Sequence, residues 1–336
     1  MARPRHGPGQ LALFETAAPA PPAPAKVLPA AAREHHVALA RSLPSRVHLG
    51  TSSWSFPGWD GLIYAHAYPK SALARGGLEA YARSPLLNAV GLDRSYYGPL
   101  SVQTFADYAA VVPDDFRFLA KAHEELTLAR FPRHRRYGAR RGQDNPRWLD
   151  AHYATEHVVG PFVEGLGPKA GVLLFQLSPQ DESLLGGRHG FADLLHRFLS
   201  ALPKQTTYAV ELRNHKLATP AYAQALRDVG ALHCVSVHPT MPDVRTQART
   251  LDVLQGAGLV VRWMLNPRLS YETARRYYQP FDTLVDPDPV ALEGIASLVR
   301  AMAERGRPSL VIVNNKAEGC APLSIERLAE AIVSAG

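Results

Sequence analysis

A chain of 336 residues can hold one large domain or two ordinary ones, and 46% hydrophobic residues supply a substantial core. No apolar run reaches the length of a membrane span, and the first residues lack a signal-peptide-like apolar region, so neither targeting class is expected. The two cysteines, Cys234 and Cys320, form no metal-ligand spacing, which leaves a reduced, cytoplasmic protein without a cofactor as the expectation. The formal charge is +7, of which residues 1–46 carry +4. Such a balance is compatible with a nucleic-acid partner and does not establish one.

Residues 1–45 read as a disordered tail, because the Ala/Pro/Gly-rich run "TAAPAPPAPAKVLPAAA" cannot bury enough apolar surface to offset ordering. One piece breaks the pattern, "QLALF" at Gln10–Phe14. Short apolar anchors in such tails often dock into a groove on a partner. This stretch resembles the pentapeptide with which bacterial polymerases and repair proteins bind the replicative sliding clamp. The resemblance gives Gln10 polar contacts, with Leu11 beside it, and puts Leu13 and Phe14 in an apolar pocket. A chance match, or the start of a helix packed on the domain, is the alternative.

Residues 46–336 read as one domain. Short β-branched runs are expected as strands at 47–52, 89–94, 116–121, 171–177, 207–213, 232–238, 259–265 and 309–314. Amphipathic stretches lie between them. Ser71 and Ser101 are expected N-caps, and Pro146 is expected near a helix start. The sixth unit is the weakest, since "PTMPDVRTQARTLDVLQ" makes a poor helix. Eight strand-then-helix units point to a closed (β/α)8 TIM-type barrel. A doubly wound open sheet is the second choice, but the first strand is not followed by a G-x-G-x-x-G turn.

In such a barrel the strand C-terminal ends share one face. The candidate residues there are Thr51 and Trp54; Asp93, Tyr96 and Tyr97; Lys121 and His123; Gln176; Glu211, Arg213 and Asn214; His238; Arg262; and Asn314, Asn315, Lys316 and Glu318. Charges inside strand runs, such as Lys121, Glu211 and Arg262, are costly to bury unless paired, so their convergence is the functional signal.

The stretches GTSSWSFPGW, SYYGP, FRFLAKAHEELT, GLGPKAGVLLFQLSP, AVELRN and VNNKAEGCAP resemble the domain-of-unknown-function-72 (YecE-like) family over roughly residues 47–332. The resemblance implies a TIM-type barrel and brings no established reaction. It marks Thr51, Trp54, Tyr97, Lys121, Gln176, Glu211, Arg213, Arg262, Asn314 and Asn315. The chain departs from the commonest pattern at Gly91, where the family usually has Glu, and at Asp93 and Met264, where Asn and His are frequent.

Glu211 is the expected general base. Arg213, two residues along the strand, points to the same side and would keep it ionised. A structural ion pair is the other reading of that spacing. Lys121, Arg213 and Arg262 would bind a phosphate or carboxylate, Asn314 and Asn315 would orient a sugar or base, and Trp54, Tyr96 and Tyr97 would stack or simply pack. The other polar strand-end groups, Asp93, His123, Gln176, His238 and Glu318, complete the expected substrate site. The acids and histidines are spread over five strands, too thinly for a multi-metal centre. The loop after the third strand carries Arg133, Arg135, Arg136, Arg140 and Arg141 with interleaved Phe131, Tyr137 and Trp148, a composition suited to a phosphate backbone or to a solvated lid. Three functions fit: an enzyme cleaving phosphodiester or glycosidic bonds in DNA or another phosphate-bearing substrate, recruited through QLALF; a non-catalytic clamp- or DNA-associated protein; or an enzyme acting on a small sugar phosphate.

Overall fold

The structure, a computed structural model, describes residues 26–334. Its eight strands are β1 (Val47–Thr51), β2 (Ala89–Leu92), β3 (Arg117–Lys121), β4 (Ala170–Leu177), β5 (Thr207–Leu212), β6 (Leu232–Val237), β7 (Leu259–Trp263) and β8 (Ser309–Val313). Each pairs in parallel with the next, and β8 returns to β1 from Val47↔Ser309 to Thr51↔Val313. That last ladder closes the barrel and excludes the open sheet. The expected TIM-type barrel is therefore the fold.

Strand alternation divides every strand between two environments. Leu49, Phe118, Phe175, Val210, Val261 and Val311 face outward into the layer shared with the helices. Leu119, Leu174, Ala209, Cys234, Val260 and Ile312 face inward and fill the barrel with a dry plug. Because each strand ends just above this plug, the next inward positions toward the C-terminal end are the first that can be polar.

Local sequence explains the outer layer. Ser101 caps the helix Val102–Ala110, its hydroxyl accepting the Thr104 amide at 3.2 Å. Ser71 does not cap: the helix Lys70–Tyr81 begins one residue before it, entered through Pro69. Pro146 precedes its helix by several residues, and Asp150 caps Ala151 onward by accepting from the Tyr153 amide at 3.0 Å. The sixth unit holds only the seven-residue helix Val244–Thr250. Gln247 ties it to β6, accepting from the Ser236 amide at 3.1 Å and donating to the Ser236 carbonyl at 2.9 Å.

Residues 26–45, expected in the tail, are packed on the barrel. Val27 and Leu39 are buried, Ala30 donates to the Ile63 carbonyl, and the helix Glu34–Ser42 reaches the last helix through His36 and Glu326, 3.0 Å apart. Composition could not show this, because two apolar side chains among many alanines suffice once a surface exists to receive them. The QLALF residues Gln10, Leu11, Leu13 and Phe14 lie outside the described residues. Among the described residues, no helix is long and apolar enough to cross a membrane.

Gly50 sits where β1 passes β2, and a Cβ there would lie 1.9 Å from the Ala89 carbonyl oxygen. Gly50→Ala is expected to lower stability by about 3 kcal/mol, read from chemical denaturation, because backbone must move to admit the methyl. Wild-type stability would refute that close approach.

Candidate active site

Above the apolar plug, inward positions of several strands carry charge. Glu211 of β5 is fully buried. One of its oxygens accepts from Arg213 and from the Ser236 hydroxyl, the latter at 3.0 Å, while the other accepts from Arg262. Arg262 also donates to the Gln176 side-chain oxygen at 3.1 Å. Burial alone would raise the Glu211 pKa, yet Arg213 and Arg262 outweigh it and hold the carboxyl at about 2.

A second carboxylate lies beside this group. Asp93, just past β2, is 3.6 Å from both the Lys121 ammonium and the Arg262 guanidinium. Lys121 lies 4.0 Å above the centre of the Tyr96 ring, a cation–π distance. Burial pushes its pKa down to about 8, against the Asp93 carboxylate, which favours the charge. His238, past the end of β6, is pushed down to about 4 by burial and then by Arg213. Its Nδ1 accepts from the Thr240 amide at 3.2 Å, which assigns the proton to Nε2.

These groups open into a cavity of about 930 Å³. Its walls carry six cations, Lys70, Lys121, Arg213, Arg262, Arg275 and Lys316, and among the described residues Asp93 is the only carboxylate lining it. Arg213 Nη1 and Arg262 Nε are buried without a hydrogen-bond partner. Both residues line the cavity while Glu211 fixes their guanidiniums from beneath. What this arrangement can do chemically is hold an anion on fixed guanidiniums beside an amine that titrates near neutrality.

The structure brings together Asp93, Tyr97, Lys121, Gln176, Arg213, His238, Arg262 and Asn314, all lining the cavity, with Glu211 directly beneath. Besides Glu211, seven expected residues do not line it: Tyr96 lies against Lys121, Asn214 accepts the Lys216 amide at 3.1 Å, and five others turn elsewhere. Thr51 lies one residue out of phase with the inward set, and its hydroxyl is 2.9 Å from that of Tyr81. Trp54 donates from its indole to the Leu73 carbonyl at 3.0 Å and packs edge-on against Tyr108. His123 is bonded to the Tyr153 hydroxyl at 2.8 Å. Asn315 accepts the Ala321 amide at 2.8 Å at the start of the last helix, and Glu318 pairs with Arg327 at 2.8 Å. Glu211 itself also needs correction as a base: its oxygens are occupied and its proton affinity is too low near neutral pH.

The family model described as "Protein of unknown function DUF72" matches residues 48–335. The chain belongs to the DUF72 family. Among solved structures, it is similar to a DUF72 family protein from Thermotoga maritima MSB8. The two share 19% identity and a TM-score of 0.56, covering 84% of this chain and 98% of that one. A DUF72 family protein from Enterococcus faecalis V583 gives 17% identity and a TM-score of 0.55, covering 85% and 95%. At these identities the likeness shows the shared barrel. No curated protein matches the chain.

The arginine loop of this DUF72 chain differs from its sequence impression. Arg136 pairs with Glu124, Arg140 with Glu125, and Arg147 with Glu125 at 3.2 Å. Those two acids stand just before the basic run and neutralise part of it. Arg133, Arg135 and Arg141 remain exposed without an ion pair among the described residues. The loop reaches the mouth through Arg136, which lies 5.8 Å from the Tyr97 ring centre.

Sequence reasoning missed Ser236, which completes the Glu211 environment, and the cavity-lining Lys70, Tyr271 and Arg275. Alternation within β6 could have found Ser236. Nothing in the sequence shows which face of the helix Tyr271–Tyr278 meets the mouth.

Glu211→Gln removes the counter-ion of two buried guanidiniums and is expected to cost about 3–5 kcal/mol. Because the folded carboxyl titrates at about 2 rather than at 4.5, its contribution is fully present above about pH 4.5 and is lost as pH falls through about 2. Denaturation of wild type and variant across that window should therefore converge toward acid pH; parallel curves would contradict the ion-pair assignment.

Proposed function

We propose that this chain is an enzyme that binds a phosphate-bearing substrate in the barrel mouth and cleaves an ester or glycosidic bond beside that phosphate. The observation that carries the reading is the cavity itself, lined by six cations against one carboxylate, with the Arg213 and Arg262 guanidiniums fixed by Glu211 beneath it. Planar guanidiniums held by a buried carboxylate are pre-aimed at phosphate oxygens, so little ordering cost remains on binding.

Lys121 is the proton-transfer group of this reading. In the free protein its amine titrates at about 8. A phosphate dianion bound nearby favours the ammonium, so at neutral pH the group donates a proton to the leaving oxygen while a water molecule attacks the centre it leaves and gives its own proton to solvent. Glu211 does not transfer the proton; it orients Arg213 and Arg262 from below. His238, neutral near pH 7, supplies a further donor from Nε2.

Inorganic phosphate should bind the purified protein in calorimetry, and Arg213→Met should weaken that binding about tenfold or more. No binding by the wild type sinks the proposal. In a panel of phosphate esters, the turned-over substrate should show kcat/KM falling as pH rises through about 8. Lys121→Met should abolish that limb and cost about 10²–10⁴-fold in rate.

A nucleic acid is the larger substrate that fits the same chemistry. The exposed Arg133, Arg135 and Arg141 on a loop touching the mouth favour it, and Gln10–Phe14 would recruit the protein to a sliding clamp. Duplex binding should then fall steeply with salt, and Arg135→Ala with Arg141→Ala should reduce the log–log slope by about one per residue. Salt-independent or absent binding confines the activity to small molecules.

A further inference from the structure

We infer that the mouth holds a second anion subsite on Lys316, Arg275 and Lys70, so the ligand carries two anionic groups. This inference rests on the phosphate reading above. The inner cations lie on β3, just past β5 and on β7, and each has a carboxylate within 4.0 Å: Asp93 for Lys121, Glu211 for Arg213, and both for Arg262. The outer three come from different elements, and among them only Arg275 has a carboxylate within that distance, Glu272 of its own helix. Lys70 opens the helix Lys70–Tyr81, Arg275 lies on the helix Tyr271–Tyr278, and Lys316 follows β8.

Lys316 decides the matter. Its residue is only 8% exposed, yet among the described residues no carboxylate comes within 4.0 Å of its ammonium. Among the described residues its ammonium has one side-chain hydrogen bond, to the Asn314 oxygen at 3.4 Å, and it lies over the Tyr271 and Phe281 rings, with centres 4.5 and 5.8 Å away. Burial disfavours its charge most; Asp93 and Glu272 favour it from beyond ion-pair distance, while Arg275 and Lys70 oppose it. A largely buried ammonium is costly to keep charged unless an anion answers it. Arg275 has only Glu272 of its own helix, 3.9 Å away, and Lys70 has no ion pair among the described residues. Lys316, the buried one of the three, lines the cavity with the exposed Arg275 and Lys70, whose charges it feels, so the three form a cationic group apart from Arg213 and Arg262 that one further anion can answer. A cavity of about 930 Å³ has room for two such groups on one sugar-sized spacer.

The test is calorimetry on the full chain with inorganic phosphate, propyl phosphate and a series of terminal bisphosphates from ethanediol to hexanediol. At least one bisphosphate should bind about tenfold or more tighter than propyl phosphate, since the second contact is intramolecular. Lys316→Met and Arg275→Ala should each remove most of that gain, whereas Arg213→Met should weaken both ligand classes. Arg275 is exposed, so its variant keeps the test valid if loss of Lys316 disturbs folding, which circular dichroism checks. A gain no larger than the statistical factor of about two, or one that survives both outer variants, overturns the second subsite alone. Failure of every phosphate to bind the wild type overturns the phosphate reading together with it.

Discussion

A single carboxylate, Glu211, sets the chemistry of this barrel. It lies at the boundary between the apolar plug and the mouth, fully buried, and it is ionised because two guanidiniums and a serine hydroxyl close around it. Burying that many charges is expensive, and an apolar layer of the same volume would cost less. What the ion cluster supplies is rigidity of aim. Arg213 and Arg262 reach Glu211 from two different strands, and each retains a buried donor without a partner.

The rest of the site follows from barrel closure. Parallel pairing brings the ends of β3, β5 and β7 to one rim, where Lys121, Arg213 and Arg262 would otherwise lie far apart in the chain. Alternation then selects which residue at each end participates. Ser52 and Asn314 share a 2.8 Å hydrogen bond at the mouth, while Thr51 and Asn315, each one position away, are spent on Tyr81 and on the last helix. A side-chain period of two makes that choice absolute, since a single step moves a group from the cavity to the helix layer.

Charge is organised at two depths. The three deep cations share two carboxylates, Glu211 and Asp93, which fix their positions. The cations nearer the rim, Lys70, Arg275 and Lys316, have far less compensation and give the mouth its net positive field. A low-dielectric cleft with one sign of charge concentrates anions before they bind. The arginine loop contributes less to this field than its composition suggests, because Glu124 and Glu125 fold back on three of its arginines.

By itself the sequence determined the barrel, its eight strands and the identity of the charged residues at their ends. Those properties are local: β-branched runs, period-two alternation and cap residues act over a few positions. It also carried the family's pattern from Gly50 to Pro322. Only the tertiary structure decided which polar residues meet. Thr51, Trp54, His123, Asn315 and Glu318 looked equal to Asp93 and Lys121 in the sequence, and differ because burial and partners are set by chain segments distant in sequence. The same reason made Glu211 a counter-ion rather than a base, since its proton affinity depends on Arg262, 51 residues away along the chain. It also brought Lys316 and Arg275 onto one wall, which no spacing in the chain records.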